Sequence, residues 1–135
     1  MAHVGQELSG PGGMALRIVG LEPELLAMEA TYSGDGSMPP MHLHPRQAER
    51  FEVLQGTMAT VVGGVERAYG GGAVFEVPAG TPHQMRADGP ARLRWEVRPA
   101  LRTAEFFERM YTAPPSGAEE GAAFLQEFSE EFRLA

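Results

Sequence analysis

Between Met14 and Pro99 the apolar residues fall in short runs separated by turn formers: ALRIV, ELLAMEATY, RFEVLQ, TMATVV, VERAY, AVFEV, HQMRA and RLRWEVR. Many brief runs punctuated by glycine and proline predict an all-β sandwich or barrel. In RLRWEVR, Leu93, Trp95 and Val97 share one face and Arg92, Arg94, Glu96 and Arg98 the other, so one face of that strand is expected to be buried. VVGGVERA predicts a hairpin, because Gly63 and Gly64 accept the positive φ angles of a tight two-residue turn. After Pro99 the pattern turns helical. Thr103 is placed to cap a short helix through Tyr111, APPSG interrupts it, and Ser116 with Glu119 has capping-box spacing for a second helix running toward the end of the chain. Phe124, Leu125, Phe128 and Phe132 form one stripe of that second helix, expected to pack on the outside of the barrel or against a second subunit.

The 135 residues suit one domain. Residues 1–13, rich in glycine, serine and proline, are expected to form a flexible leader, followed by a β-domain over 14–99 and a helical extension of the same domain over 100–135. No apolar run has the length of a membrane span, and the first residues lack the pattern of a secretory signal, so a cytoplasmic location without membrane contact is expected. A net charge of -7 and scattered arginines oppose a nucleic-acid partner.

With no cysteine the chain offers no thiolate ligand and no cysteine nucleophile, and with no lysine it offers no Schiff-base chemistry. Any metal must be held by nitrogen and oxygen. His42 and His44 are two apart, so on a strand both rings point to one face, a chelating arrangement. PRQA can turn the chain so that the Glu49 carboxylate faces those two imidazoles. His83 follows the rigid turn VPAGTP and is the fourth candidate. A lone histidine in a strand is usually a surface or hydrogen-bonded residue. Here three of only four histidines lie in two glycine- and proline-punctuated motifs, with His3 alone in the leader, and that concentration favours a site.

These spacings resemble the two motifs of the cupin superfamily. Gly36, His42, His44, Glu49 and Gly56 stand at the positions of the first, and Gly72, Pro78, Gly80 and His83 at those of the second. The sequence departs from the pattern at Ala87, where the family has asparagine, and at Arg50, where many relatives carry a second acidic residue. The resemblance implies a jelly-roll β-barrel, a double-stranded β-helix, with one divalent transition metal ion (iron, manganese, nickel, copper or zinc) held by His42, His44, Glu49 and His83. It also implies a homodimer, as relatives often form. Three imidazoles and a carboxylate suit first-row divalent metals.

Strand alternation turns Met85 and Ala87 to the side of His83, with Gln84 and Arg86 away, and carries Phe51 and Val53 inward with Glu49. Met58 and Trp95 complete an expected substrate lining that is mainly apolar. Three functions fit this sequence. The first is a dioxygenase-like oxidoreductase acting on a small, partly apolar molecule that chelates the metal, with Glu49 as catalytic base. The second is a metal-dependent isomerase or decarboxylase, and the third a non-enzymatic module that binds a metal or small ligand. A sugar epimerase would need a further histidine base, and only His3 is spare. The C-terminal helices fit a lid, a clamp or a dimer contact.

Overall fold

Each of the eight apolar runs becomes a strand in the structure, a computed structural model that describes residues 1–10 and 13–135. In chain order they are β2 (Met14–Glu22), β3 (Leu25–Tyr32), β5 (Ala48–Gln55), β6 (Thr57–Val62), β7 (Val65–Gly70), β8 (Val74–Val77), β9 (His83–Ala87) and β10 (Ala91–Arg98). Three short strands join them: β1 (Glu7–Ser9), β4 (His42–Leu43) and β11 (Arg133–Leu134). Helices α1 (Thr103–Thr112) and α2 (Gly117–Glu127) lie between β10 and β11. The strands form two antiparallel sheets, β1-β2-β3-β10-β5-β8 and β11-β4-β9-β6-β7, that do not close into one continuous ladder among the described residues. The architecture is an all-β jelly-roll with two C-terminal helices.

Alternation decides what lies between the sheets. Leu93, Trp95 and Val97 of β10 are buried, and Glu49, Phe51 and Val53 of β5 face the same interior. Phe107, Trp95, Phe51, Phe75 and Tyr69 form a continuous aromatic row through it, with successive ring centroids 5.3, 5.4, 5.0 and 4.3 Å apart. The GlyGly hairpin forms as expected, with φ of 56° at Gly63 and 81° at Gly64 and Val62 paired to Val65.

Four expectations change. The leader is not loose over its whole length: β1 pairs with β2, and Leu8 is buried in the main core. Pro11 and Gly12, at the end of that leader, lie outside the described residues. Thr103 does not cap α1. Arg102 occupies the N-cap position, its N–H reaching Glu131 Oε2 at 3.3 Å, while the Thr103 hydroxyl accepts from the buried Gln47 Nε2 at 2.7 Å. That same amide donates to the Pro99 and Ala100 carbonyls, so Gln47 fastens the start of α1 to the β-domain. Ser116 is the N-cap of α2, but its hydroxyl bonds the Glu120 carboxylate in place of a capping box. Finally, α2 stops at Glu127 and the chain turns back as β11 to pair with β4, so the last residues are not helical.

The glycine that closes the first motif is there for space. Gly56, at φ 82°, turns β5 into β6, and a side chain there would press into the Pro90 carbonyl oxygen and crowd Ala91 Cα at 2.9 Å. Gly56→Ala is expected to lower the unfolding free energy by about 2 kcal/mol, measured by denaturant titration, because strain and overlap at backbone atoms cannot both relax.

Candidate metal centre

The two sheets supply the site from opposite sides. His42 lies on β4 and pairs in register with His83 on β9, which brings those imidazoles to a centroid separation of 4.4 Å. His44 follows two residues later, its ring 5.1 Å from each of the other two, and its carbonyl accepts the Gly80 N–H at 2.8 Å, tying the first motif to the turn before His83. Glu49 enters from β5 in the facing sheet. Its Oε1 lies 3.1 Å from His44 Nε2 and 3.0 Å from His83 Nε2, while Oε2 accepts the Trp95 indole N–H at 2.7 Å. His44, Glu49 and His83 are buried and His42 is half-buried.

The proton positions follow from the acceptors. His42 Nδ1 faces the Pro40 carbonyl at 3.1 Å, His44 Nδ1 the Glu131 carbonyl at 2.7 Å, and His83 Nδ1 the Thr81 carbonyl at 2.9 Å. A carbonyl oxygen only accepts, so each Nδ1 carries a hydrogen and each neutral ring presents a lone pair at Nε2. Those three histidines converge closely enough to hold one metal ion. The short His44 Nε2 to Glu49 Oε1 approach is therefore not a hydrogen bond while the ring is neutral and the carboxyl ionised. Both atoms are buried without a hydrogen-bond partner, and lone pair faces lone pair. Only a cation satisfies both, either a proton on the ring or a metal ion, and the residues fit a metal on that ground. An N–H turned to a carbonyl behind each ring is the arrangement that orients histidine ligands.

The electrostatics follow the charge on the rings. Burial alone would raise the Glu49 pKa, but a proton on Nε2 of His44 or His83, as hydrogen-bond donor and positive charge, outweighs it and holds the carboxyl at about 2. Burial would lower His44, yet Glu49 and the Glu131 carbonyl raise it above its ordinary value. At His42 burial dominates, with the neighbouring imidazoles adding to it, and the pKa falls to about 4.

The cluster opens into a cavity of about 420 Å³. Among the expected lining residues, Phe51, Met85 and Trp95 do face it. Val53 and Met58 do not: both point inward but lie deeper between the sheets, where they are fully buried in the core. Arg86, expected to turn away, borders the cavity because β4 is too short to cover that part of β9. Sequence reasoning missed Tyr32, Phe107 and Phe132. Tyr32 was legible, since it continues the inward positions Leu26, Met28 and Ala30 of β3. Burial, and to a lesser degree Tyr111 and Glu49, push its pKa well above the usual range and keep the phenol protonated. Phe132 stacks on His42, ring centroids 4.9 Å apart and 19° from parallel. Nothing local in the sequence foretells a contact between residues ninety positions apart.

Among the described residues no helix is long and apolar enough to cross a membrane. No curated protein sequence matches the chain. Solved structures with the same fold include KdgF from Halomonas sp., with 24% identity over 70% of this chain and 86% of that one at a TM-score of 0.64. An RmlC-like cupin from Shewanella frigidimarina has 23% identity, covers 73% and 86%, and superposes at 0.66. Pac13 from Streptomyces, a nucleoside dehydratase, has 14% identity, 73% and 81% coverage and a TM-score of 0.60. The family profile described as Cupin domain matches residues 28–97, a stretch that contains His42, His44, Glu49, His83 and Trp95, and the chain accordingly belongs to the cupin family.

Proposed function

We propose that this cupin is a metal-dependent oxidoreductase, dioxygenase-like, acting on a small and largely apolar molecule that approaches the metal through oxygen atoms. The observation that carries this reading is the convergence of three imidazoles, each fixed by an Nδ1–H to carbonyl bond, with the buried Glu49 Oε1 beside Nε2 of His44 and His83. His42, His44, His83 and Glu49 would hold the ion. When bound, a first-row divalent metal supplies Lewis acidity toward substrate oxygens and, if redox-active, a route for electrons.

The remaining chemistry belongs to the chain. Trp95 anchors Glu49 through Oε2 and leaves Oε1 directed at the histidines, the atom proposed to take up a substrate proton as base. Phe51, Met85, Trp95, Phe107 and Phe132 give the substrate an apolar bed and exclude water. The cavity has the size of a small-molecule site. Tyr32 supports a second reading, a non-redox isomerisation or decarboxylation. Its protonated phenol borders the same cavity as Glu49, and a proton donor beside a carboxylate serves proton transfer without a change of oxidation state. The likeness to a nucleoside dehydratase is compatible with that reading. A cupin that only binds its ligand would share the metal site and lack turnover.

Elemental analysis of untagged protein purified without chelator tests the proposal. About one equivalent of iron, manganese, nickel or copper is expected, lost in His42→Ala and His83→Ala, with oxygen uptake on substrate screening. Zinc or manganese without oxygen uptake would move the assignment to proton-transfer chemistry, and no metal even after reconstitution would overturn it. In the metal-free protein, Trp95→Phe is expected to lower the unfolding free energy by about 2 kcal/mol, because a buried carboxylate oxygen loses its donor. A denaturant series with equal slopes for both proteins checks it.

A further inference from the structure

The residues that follow α2 lie outside the stretch matched by the cupin profile, yet they reach the histidine cluster at three points. The Glu131 carbonyl accepts the His44 Nδ1–H at 2.7 Å. The Phe132 ring covers His42 and forms part of the cavity wall. Arg133 and Leu134 pair with Leu43 and His42, and the Ala135 N–H reaches the Met41 carbonyl at 3.0 Å. The segment is itself held in place. Phe132 stacks on Phe106 of α1 at 5.1 Å, and the buried Glu131 carboxylate accepts the Arg102 N–H.

We propose that residues 130–135 form a strap that positions His42 and His44 for metal binding, so that metal affinity and strap docking are coupled; this rests on the metal reading above. The argument starts from β4. That strand has two residues, and its pairing with β9 is the single partnership of His42 with His83, so β11 supplies the other ladder that fixes its orientation. Release of the strap leaves the buried His44 Nδ1–H without an acceptor. The ring is then free to move its hydrogen to Nε2 or to rotate, and either change withdraws the lone pair from the site. The end of the strap opens most readily, since Arg133, Leu134 and Ala135 are exposed and β11 is only two residues long, while Glu131 and Phe132 hold the part that touches the histidines. Linkage then works in both directions: a docked strap tightens metal binding, and bound metal tightens docking by the same factor.

The test compares the full chain with a chain ending at Ser129. Co²⁺ affinity is read by visible absorption with a competing chelator, and the His44 tautomer by long-range ¹⁵N imidazole spectra of the metal-free proteins at mildly alkaline pH. The shortened chain is expected to bind Co²⁺ about 10- to 100-fold more weakly, the usual effect of losing a hydrogen-bond partner behind a ligand. Its His44 should lose the preference for hydrogen on Nδ1, and Co²⁺ should slow tryptic cleavage after Arg133 in the full chain. A folded shortened chain with unchanged affinity and an unchanged His44 tautomer overturns the strap. If shortening unfolds the protein, Phe132→Ala takes its place, with weaker Co²⁺ binding and faster cleavage after Arg133 expected and no change in either overturning the proposal. If the full chain binds no Co²⁺, the metal reading fails, while the His44 tautomer in the two chains still decides the strap.

Discussion

Burying the Glu49 carboxylate between two sheets constrains everything near it. An ionised carboxyl in such a place is tolerable only when donors or a cation match its oxygens. One oxygen is matched from its own sheet by the Trp95 indole, and the other faces His44 and His83 from the opposite side. Trp95 is consequently fixed on β10, beside Phe51 of β5, and the row of aromatic rings extends behind it. Gly56 serves the same end. The turn at Gly56 lets β5 pass into β6 against the start of β10 with no room for a side chain, which keeps β5 and β10 in the register that Glu49 and Trp95 require.

The histidines complete this arrangement from the other layer. Two are brought together by strand pairing and the third by its place two residues beyond His42. Because each ring spends its Nδ1 hydrogen on a carbonyl, the centre accumulates electron pairs around one carboxylate, and a positive species is what such a centre attracts. The apolar cavity beside it keeps the local dielectric low and strengthens that attraction. The fold is thus a frame in which one layer contributes neutral donors and the other the compensating charge.

Much of this was legible in the sequence, for reasons that also mark the limit. Alternation with period two revealed the inner faces of β5 and β10 because eight-residue strands hold enough repeats. β4 and β11 contain two residues each and have no period to read, and β1 rests on a single buried leucine, Leu8. Spacing placed His42, His44, Glu49 and His83 together, but alternation gives direction without depth, so Val53 and Met58 were expected at the cavity and lie in the core beyond it. The Phe128 and Phe132 stripe read as helix because its spacing is helical. The chain leaves α2 at its C-cap, Phe128, and Phe132 turns to His42 through contacts distant in sequence.

All three partners behind the histidines are main-chain oxygens, those of Pro40, Thr81 and Glu131. Every residue type carries that oxygen, so natural drift at these three positions leaves the support intact as long as the backbone path survives. Selection on the centre would then fall on loop length and turn geometry, and an insertion of one residue near any of the three would do more harm there than most replacements of side chain.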